Sequence, residues 1–241
     1  MDFAFALLLL SIAYLYSSVG HGGASGYLAL MALFGMDPEF MQSSALTLNL
    51  FVSSIAFYSF YRAGYFRWKV LLPFVITSMP MAFVGARLDI EPKTYKVILG
   101  ICLLIAILRL LISYSGKAES SKPPPFIIAA PIGALLGFFS GMIGIGGGII
   151  LSPLILLLHW ANMKETAAIS AAFIFLNSAA GLFGLSLSGL SLAPHILIWI
   201  CIVIAGGFLG SYISSYKMDS AKLKYLLAIV LLVASFKLLL T

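Results

Sequence analysis

The side chains able to do chemistry in this chain gather around two glycine runs embedded in otherwise apolar sequence. Residues 17–30 read "SSVGHGGASGYLAL" and residues 141–157 read "GMIGIGGGIILSPLILL". Glycine lets the backbone leave helical geometry, and a helix restarting after such a break aims unpaired N–H groups and a positive dipole end into it. That combination binds anions. Gly22, Gly23, Gly144, Gly146, Gly147 and Gly148 are therefore the candidate backbone contacts. Ser18, His21 and Ser25 add side chains to the first run, and His21 titrates near neutrality, which suits either anion binding or a coupling proton. In the second run its counterpart is the apolar Ile145.

After each run come the next polar residues inside apolar sequence: Thr47 and Asn49 in "SSALTLNLFVSS", then Ser170 and Asn177 in "ISAAFIFLNSAAG". Hydroxyls and carboxamides donate hydrogen bonds, as an oxyanion requires. They also bond their own helix or a neighbouring one, the ordinary fate of such residues in membrane helices. All eight carboxylates, by contrast, fall in loops or at the ends of apolar runs, so no buried Asp or Glu is available for a cation site. No metal-binding cluster, nucleotide-binding GxxxxGK[ST] or HExxH is present, and no Ser/His or Asp/Asp pairing appears within the apolar runs. The expectation is a transporter of an anion or neutral solute, with no cofactor, no metal and no catalytic residue. A channel or carrier for another solute, such as a divalent metal or another oxyanion, is the alternative, followed by an intramembrane enzyme.

The elements that must position these residues follow from composition. With 62% hydrophobic and 9% charged residues, the chain has too little polar surface to coat a water-soluble globule. Its runs 41–61, 68–86, 94–114, 165–187, 193–216 and 221–240 are about the length of a spanning helix. They are continuously apolar rather than alternating, which excludes a barrel. The net charge of +6 comes from Lys and Arg at run ends and in short loops, the pattern of a membrane protein and not of a nucleic-acid binder. Cys102 and Cys201 stand alone in apolar runs and are expected to be small core residues. The first twenty residues lack a basic leading region and read as a retained helix.

The segments around the glycine runs are anomalous in length. Residues 3–19 make roughly 25 Å of helix and residues 24–34 roughly 17 Å, too long together for one span and too short for two. The second run repeats this with residues 126–143 and 149–160. Laid on one another at an offset of 124, residues 19–23 fall on 143–147, and 45–47, 83–85 and Arg109 follow on 168–170, 208–210 and Lys237 with small slips. The chain reads as a duplication: residues 1–114, a Pro-rich linker at 115–125 and residues 126–241.

Each broken segment either crosses the bilayer once or returns to its starting face. If it returns, Arg87, Lys93, Lys96 and Lys237 lie on one face and the other ten Lys and Arg on the opposite face. If it crosses once, the split is seven to seven. Basic residues collect in cytoplasmic loops, so the first arrangement is expected. The predicted fold is an all-α membrane protein of two inverted repeats, each a glycine-broken short-helix hairpin followed by three transmembrane helices. The linker would be cytoplasmic and both termini outside, in a multi-pass protein of the cell membrane that the sequence leaves free to form a homo-oligomer.

The motif GxGGG with a proline five residues on, in residues 141–157, and its divergent copy in residues 17–30 resemble the TauE/SafE family of sulfite exporters. The resemblance covers essentially the whole chain. It implies outward transport of a small sulfur-containing anion, sulfite or an organosulfonate. The first half departs from the motif: His21 replaces an apolar residue, Ala24 a glycine, and Ala29 the proline matched by Pro153.

Overall fold

The computed structural model of the chain describes residues 3–88, 90–111 and 123–216, with residue 232. In chain order the helices are α1 (Phe3–Ser18), α2 (Ala24–Leu33), α3 (Pro38–Arg62), α4 (Trp68–Ala86), α5 (Pro92–Leu111), α6 (Phe126–Ile143), α7 (Gly148–Leu157), α8 (Met163–Ser188) and α9 (Ile196–Tyr216). All regular structure among the described residues is helical. Helices α3, α4, α6, α8 and residues 196–213 of α9 are long and apolar enough to cross a membrane. Helices α2 and α7 have 10 residues each, about 15 Å, or half the hydrocarbon thickness. The expected last run, 221–240, and linker residues 115–122 lie outside the described residues, apart from Leu232.

Local sequence fixes where the long central helices begin. Pro38 occupies the first turn of α3, where a missing N–H costs nothing. Helix α8 opens with a reciprocal cap: Asn162 Oδ1 accepts the Glu165 N–H and a Glu165 carboxylate oxygen accepts the Asn162 N–H, each at 3.0 Å. That carboxylate also pairs with Arg67, at 3.4 Å.

Most of these helices are apolar on every side, so small residues decide which face meets a neighbour. Gly133, Gly137 and Gly141, four apart and hence on one face of α6, bring it against the α4 backbone at Phe74, Ser78 and Ala82. Gly206 and Gly210 do the same for α9 against Leu10 and Tyr14 of α1. Helices α3 and α8 pack on each other between these two pairs, α3 also touching α9 and α8 also touching α4.

Contacts at the helix ends define directions. Beyond the end of α3, Tyr65 Oη accepts from Lys164 Nζ at 3.2 Å, at the start of α8. At the opposite end, Glu39 in the first turn of α3 accepts from the Ser191 hydroxyl at 2.7 Å, and Ser44 Oγ accepts the Ala193 N–H at 3.0 Å. Helices α3 and α8 are thus antiparallel. The ring of Phe5, near the start of α1, lies 5.2 Å from that of Phe34 just past α2, and 4.7 Å from that of Trp199. Phe74 and Trp160 meet at 5.8 Å.

Cys201, expected in the core, faces outward, and Cys102 is half-buried. His159 and His195 are exposed at the ends of their segments.

Candidate functional site

The helical path stops at Ser18 and restarts at Ala24, and stops at Ile143 and restarts at Gly148. Gly23 and Gly147, the residues before the restarts, both take the left-handed conformation, at φ 96° and 72°. Neither side-chain-free position can cap its helix, so the first turns of α2 and α7 must find acceptors elsewhere.

Asn49 of α3, fully buried, supplies one such acceptor and ties the two breaks together. Its Oδ1 accepts the Ala24 N–H at 3.1 Å. Its Nδ2 donates to the Ile145 carbonyl at 3.4 Å and to Ser178 Oγ at 3.3 Å. A Cβ on Gly22 would overlap Asn49 Oδ1 and one on Gly146 would overlap Asn49 Nδ2, while each would come within 3.0 Å of Ile174. The carboxamide is therefore held between one glycine of each break. A Cβ on Gly148 would likewise overlap the Ile174 side chain, and one on Gly144 would come within 3.0 Å of the carbonyl oxygen of Gln42 in α3.

His21 makes a second bridge. Its Nδ1 lies 2.9 Å from the Val19 carbonyl and its Nε2 lies 3.0 Å from Ser152 Oγ. Ser152 Oγ in turn lies 2.6 Å from Ser170 Oγ and 3.0 Å from the Gly148 carbonyl. A carbonyl only accepts, so Nδ1 carries a proton, and in the neutral ring Nε2 accepts from Ser152. A second proton on the ring makes Nε2 the donor and turns the Ser152 hydroxyl to Gly148. Both states are satisfied by one hydroxyl rotation, with Ser170 donating to Ser152 in each. All three side chains are buried.

The other expected site residues bond locally, except that Asn177 Oδ1 is buried without a partner. Ser18 Oγ donates to Leu15 O at 2.7 Å, Thr47 Oγ1 to Ser43 O at 2.8 Å, and Asn177 Nδ2 to Phe173 O at 2.8 Å, each within its own helix. Ser25 shares a 2.6 Å hydrogen bond with Tyr16 Oη. The arrangement thus joins Gly22, Ala24, Asn49, Gly146 and Ser178 in one cluster, and His21, Gly148, Ser152 and Ser170 in another.

Sequence reading passed over Ser152, Ser140 and Tyr27. A signal existed for two of them: helical side chains lean toward the N-terminus, so residues four places after Gly23 and Gly148 project back to the breaks. Those are Tyr27 and Ser152. Among the described residues no group of three or more His, Cys, Asp or Glu is placed to hold a metal ion. Neither cluster contains a carboxylate, and together they offer hydroxyls, carboxamide and helix-start N–H groups, a donor set suited to an uncoordinated anion.

Residues 4–238 match the family described as sulfite exporter TauE/SafE. The chain is 35% identical to the probable membrane transporter protein y4hK of Sinorhizobium fredii, over 97% of this chain and 96% of that protein. It is 28% identical to the probable membrane transporter protein MJ0441 of Methanocaldococcus jannaschii, over 76% and 74%, and 25% identical to the probable membrane transporter protein YunE of Bacillus subtilis, over 82% and 79%. No solved structure matches it.

Proposed function

The chain belongs to the sulfite exporter TauE/SafE family of membrane transporters, and from that premise we propose that it exports a small sulfur-containing oxyanion, sulfite or an organosulfonate, by alternating access. The observation that carries the reading is Asn49: one buried carboxamide held between Gly22 and Gly146 brings the two helix breaks to one place. Two short helices then start beside a common polar centre with no carboxylate in it. A charged oxygen is a stronger acceptor than a carboxamide, so substrate displaces Asn49 Oδ1 from the Ala24 N–H and loosens the tie between the breaks. The chain's own residues thereby couple binding to movement of one half against the other. No enzymatic step is assigned.

In this proposal the halves are inverted repeats, residues 1–114 and 126–241, and each broken segment is a hairpin. The Phe5–Phe34 contact supports the first hairpin, because the chain comes back after the break to the end where α1 began. The antiparallel course of α3 and α8 supports the inversion, since single crossings would leave these two helices parallel. Exchange of partners supports a twofold relation: α4 packs on α6 as α9 packs on α1. The linker is then cytoplasmic and both termini are outside, and the inside-negative potential drives an anion outward with about 2.3 kcal/mol per charge per 100 mV.

The test is efflux of labelled sulfite from proteoliposomes, run beside sulfate, phosphate and nickel. Saturable sulfite efflux competed by related sulfur anions is expected. Transport of nickel with no anion flux would replace the reading with a metal carrier.

A further inference from the structure

Two buried hydroxyls lie at the breaks with nothing to bond. Tyr27 is wholly buried on the first turn of α2, its Oη has no hydrogen-bond partner, and that oxygen comes within 2.7 Å of where a Cβ on Gly23 would be. Ser140 of α6 is 2% exposed, its Oγ also lacks a partner, and its Cβ lies 3.4 Å from the corresponding point on Gly147. Gly23 and Gly147 are the residues before the two helix restarts and occupy equivalent positions, since 147 − 23 is the repeat offset of 124. Each restart therefore has one unpaired, enclosed O–H beside it.

An enclosed hydroxyl without a partner is unfavourable, and the chain has an easy remedy that Ser140 does not use. Ser18 and Thr47 each donate to a carbonyl three or four residues earlier in their helices. Tyr27 differs from Tyr16 and Tyr95, whose phenols are bonded to Ser25 and to the Ile143 carbonyl. Ser78, another buried hydroxyl without a partner, lies instead at the α4–α6 packing face beside Gly137.

We propose that Tyr27 and Ser140 are substrate-binding residues, each donating its hydroxyl to an oxygen of the transported anion while the adjoining helix start donates N–H groups. The assignment rests on the anion-export reading and deepens it. Donors at two breaks suit a ligand with several acceptor oxygens, an oxyanion in preference to a halide. No covalent step is involved.

The experiment compares wild-type protein with Tyr27→Phe and Ser140→Ala, each purified at full length, by thermal midpoint and by KM for labelled sulfite efflux from proteoliposomes. Each variant is expected to raise KM on the order of tenfold, the cost of one hydrogen bond to a charged group. The thermal midpoint stays level or rises, because the hydroxyl removed bonds nothing in the unloaded protein. Unchanged KM in both variants, beside a transporting wild type, overturns the assignment and leaves the anion reading standing. A raised KM accompanied by a lowered thermal midpoint also overturns it, because the hydroxyl then serves packing. Absence of any saturable sulfite, sulfate or taurine flux in the wild type overturns the anion reading itself and the assignment with it.

Discussion

The side-chain oxygen of Asn49 accepts the backbone N–H of Ala24 at 3.1 Å, so a residue of α3 closes the first turn of α2 across the break. The same carboxamide reaches Ile145 and Ser178 in the other half of the chain.

Removing that carboxamide should cost more than removing a locally bonded hydroxyl. Asn49→Ala strips partners from a buried N–H and a part-buried carbonyl, and should lower unfolding stability by about 1–3 kcal/mol. Thr47→Ala removes a bond from Thr47 to its own helix and should stay within about 0.5 kcal/mol. Denaturant unfolding in detergent measures both, and equal losses would remove Asn49 from its bridging role.

Space and backbone strain can be separated at the glycines. Gly22 and Gly146 leave no room for a Cβ beside Asn49, whereas Gly64, at φ 80°, has nothing within 4 Å. Gly22→Ala and Gly146→Ala should abolish efflux, while Gly64→Ala bears only a conformational cost of roughly 1–2 kcal/mol and should transport. Equal activity in all three would show that the breaks serve packing alone.

His21 is the buried titratable group of the site, and its bond to Ser152 accommodates either protonation state. If His21 carries a coupling proton, efflux by the wild type should depend on pH, and the profile of His21→Gln should be flat. A variant profile that follows the wild type would exclude a proton role for this residue.

The hairpin arrangement sends the α3–α4 loop and the α8–α9 loop to opposite faces. In a protein with Cys102 and Cys201 replaced, an impermeant maleimide should label Ser188→Cys from outside intact cells and Gly64→Cys only after permeabilisation. Labelling of both from one side would contradict the inverted arrangement.

Helix boundaries and breaks were readable because glycine clusters and apolar run lengths are local properties. Helix α6 ends at Ile143 and α7 begins at Gly148, one residue from expectation, though α7 stops at Leu157 rather than 160. What faces what was not readable. A helix apolar on all sides gives no signal separating core from lipid, so Cys201 was expected inside and lies outside. Thr47 and Asn49 are both candidates by sequence, which gives depth along a helix but not which neighbour a side chain meets. Thr47 turned to its own backbone, and Asn49 became the tie between the halves. Ser152 and Tyr27 were hidden by the apolar residues around them.

The most direct test of the anion site is a structure determined with bound selenite, whose selenium marks its own position by anomalous scattering. The predicted result is a peak at the glycine breaks, within hydrogen-bond reach of the first turn of α2 and of the Tyr27 hydroxyl. A peak confined to the protein surface, with Asn49 still bonded to Ala24 and both breaks closed on themselves, would contradict it.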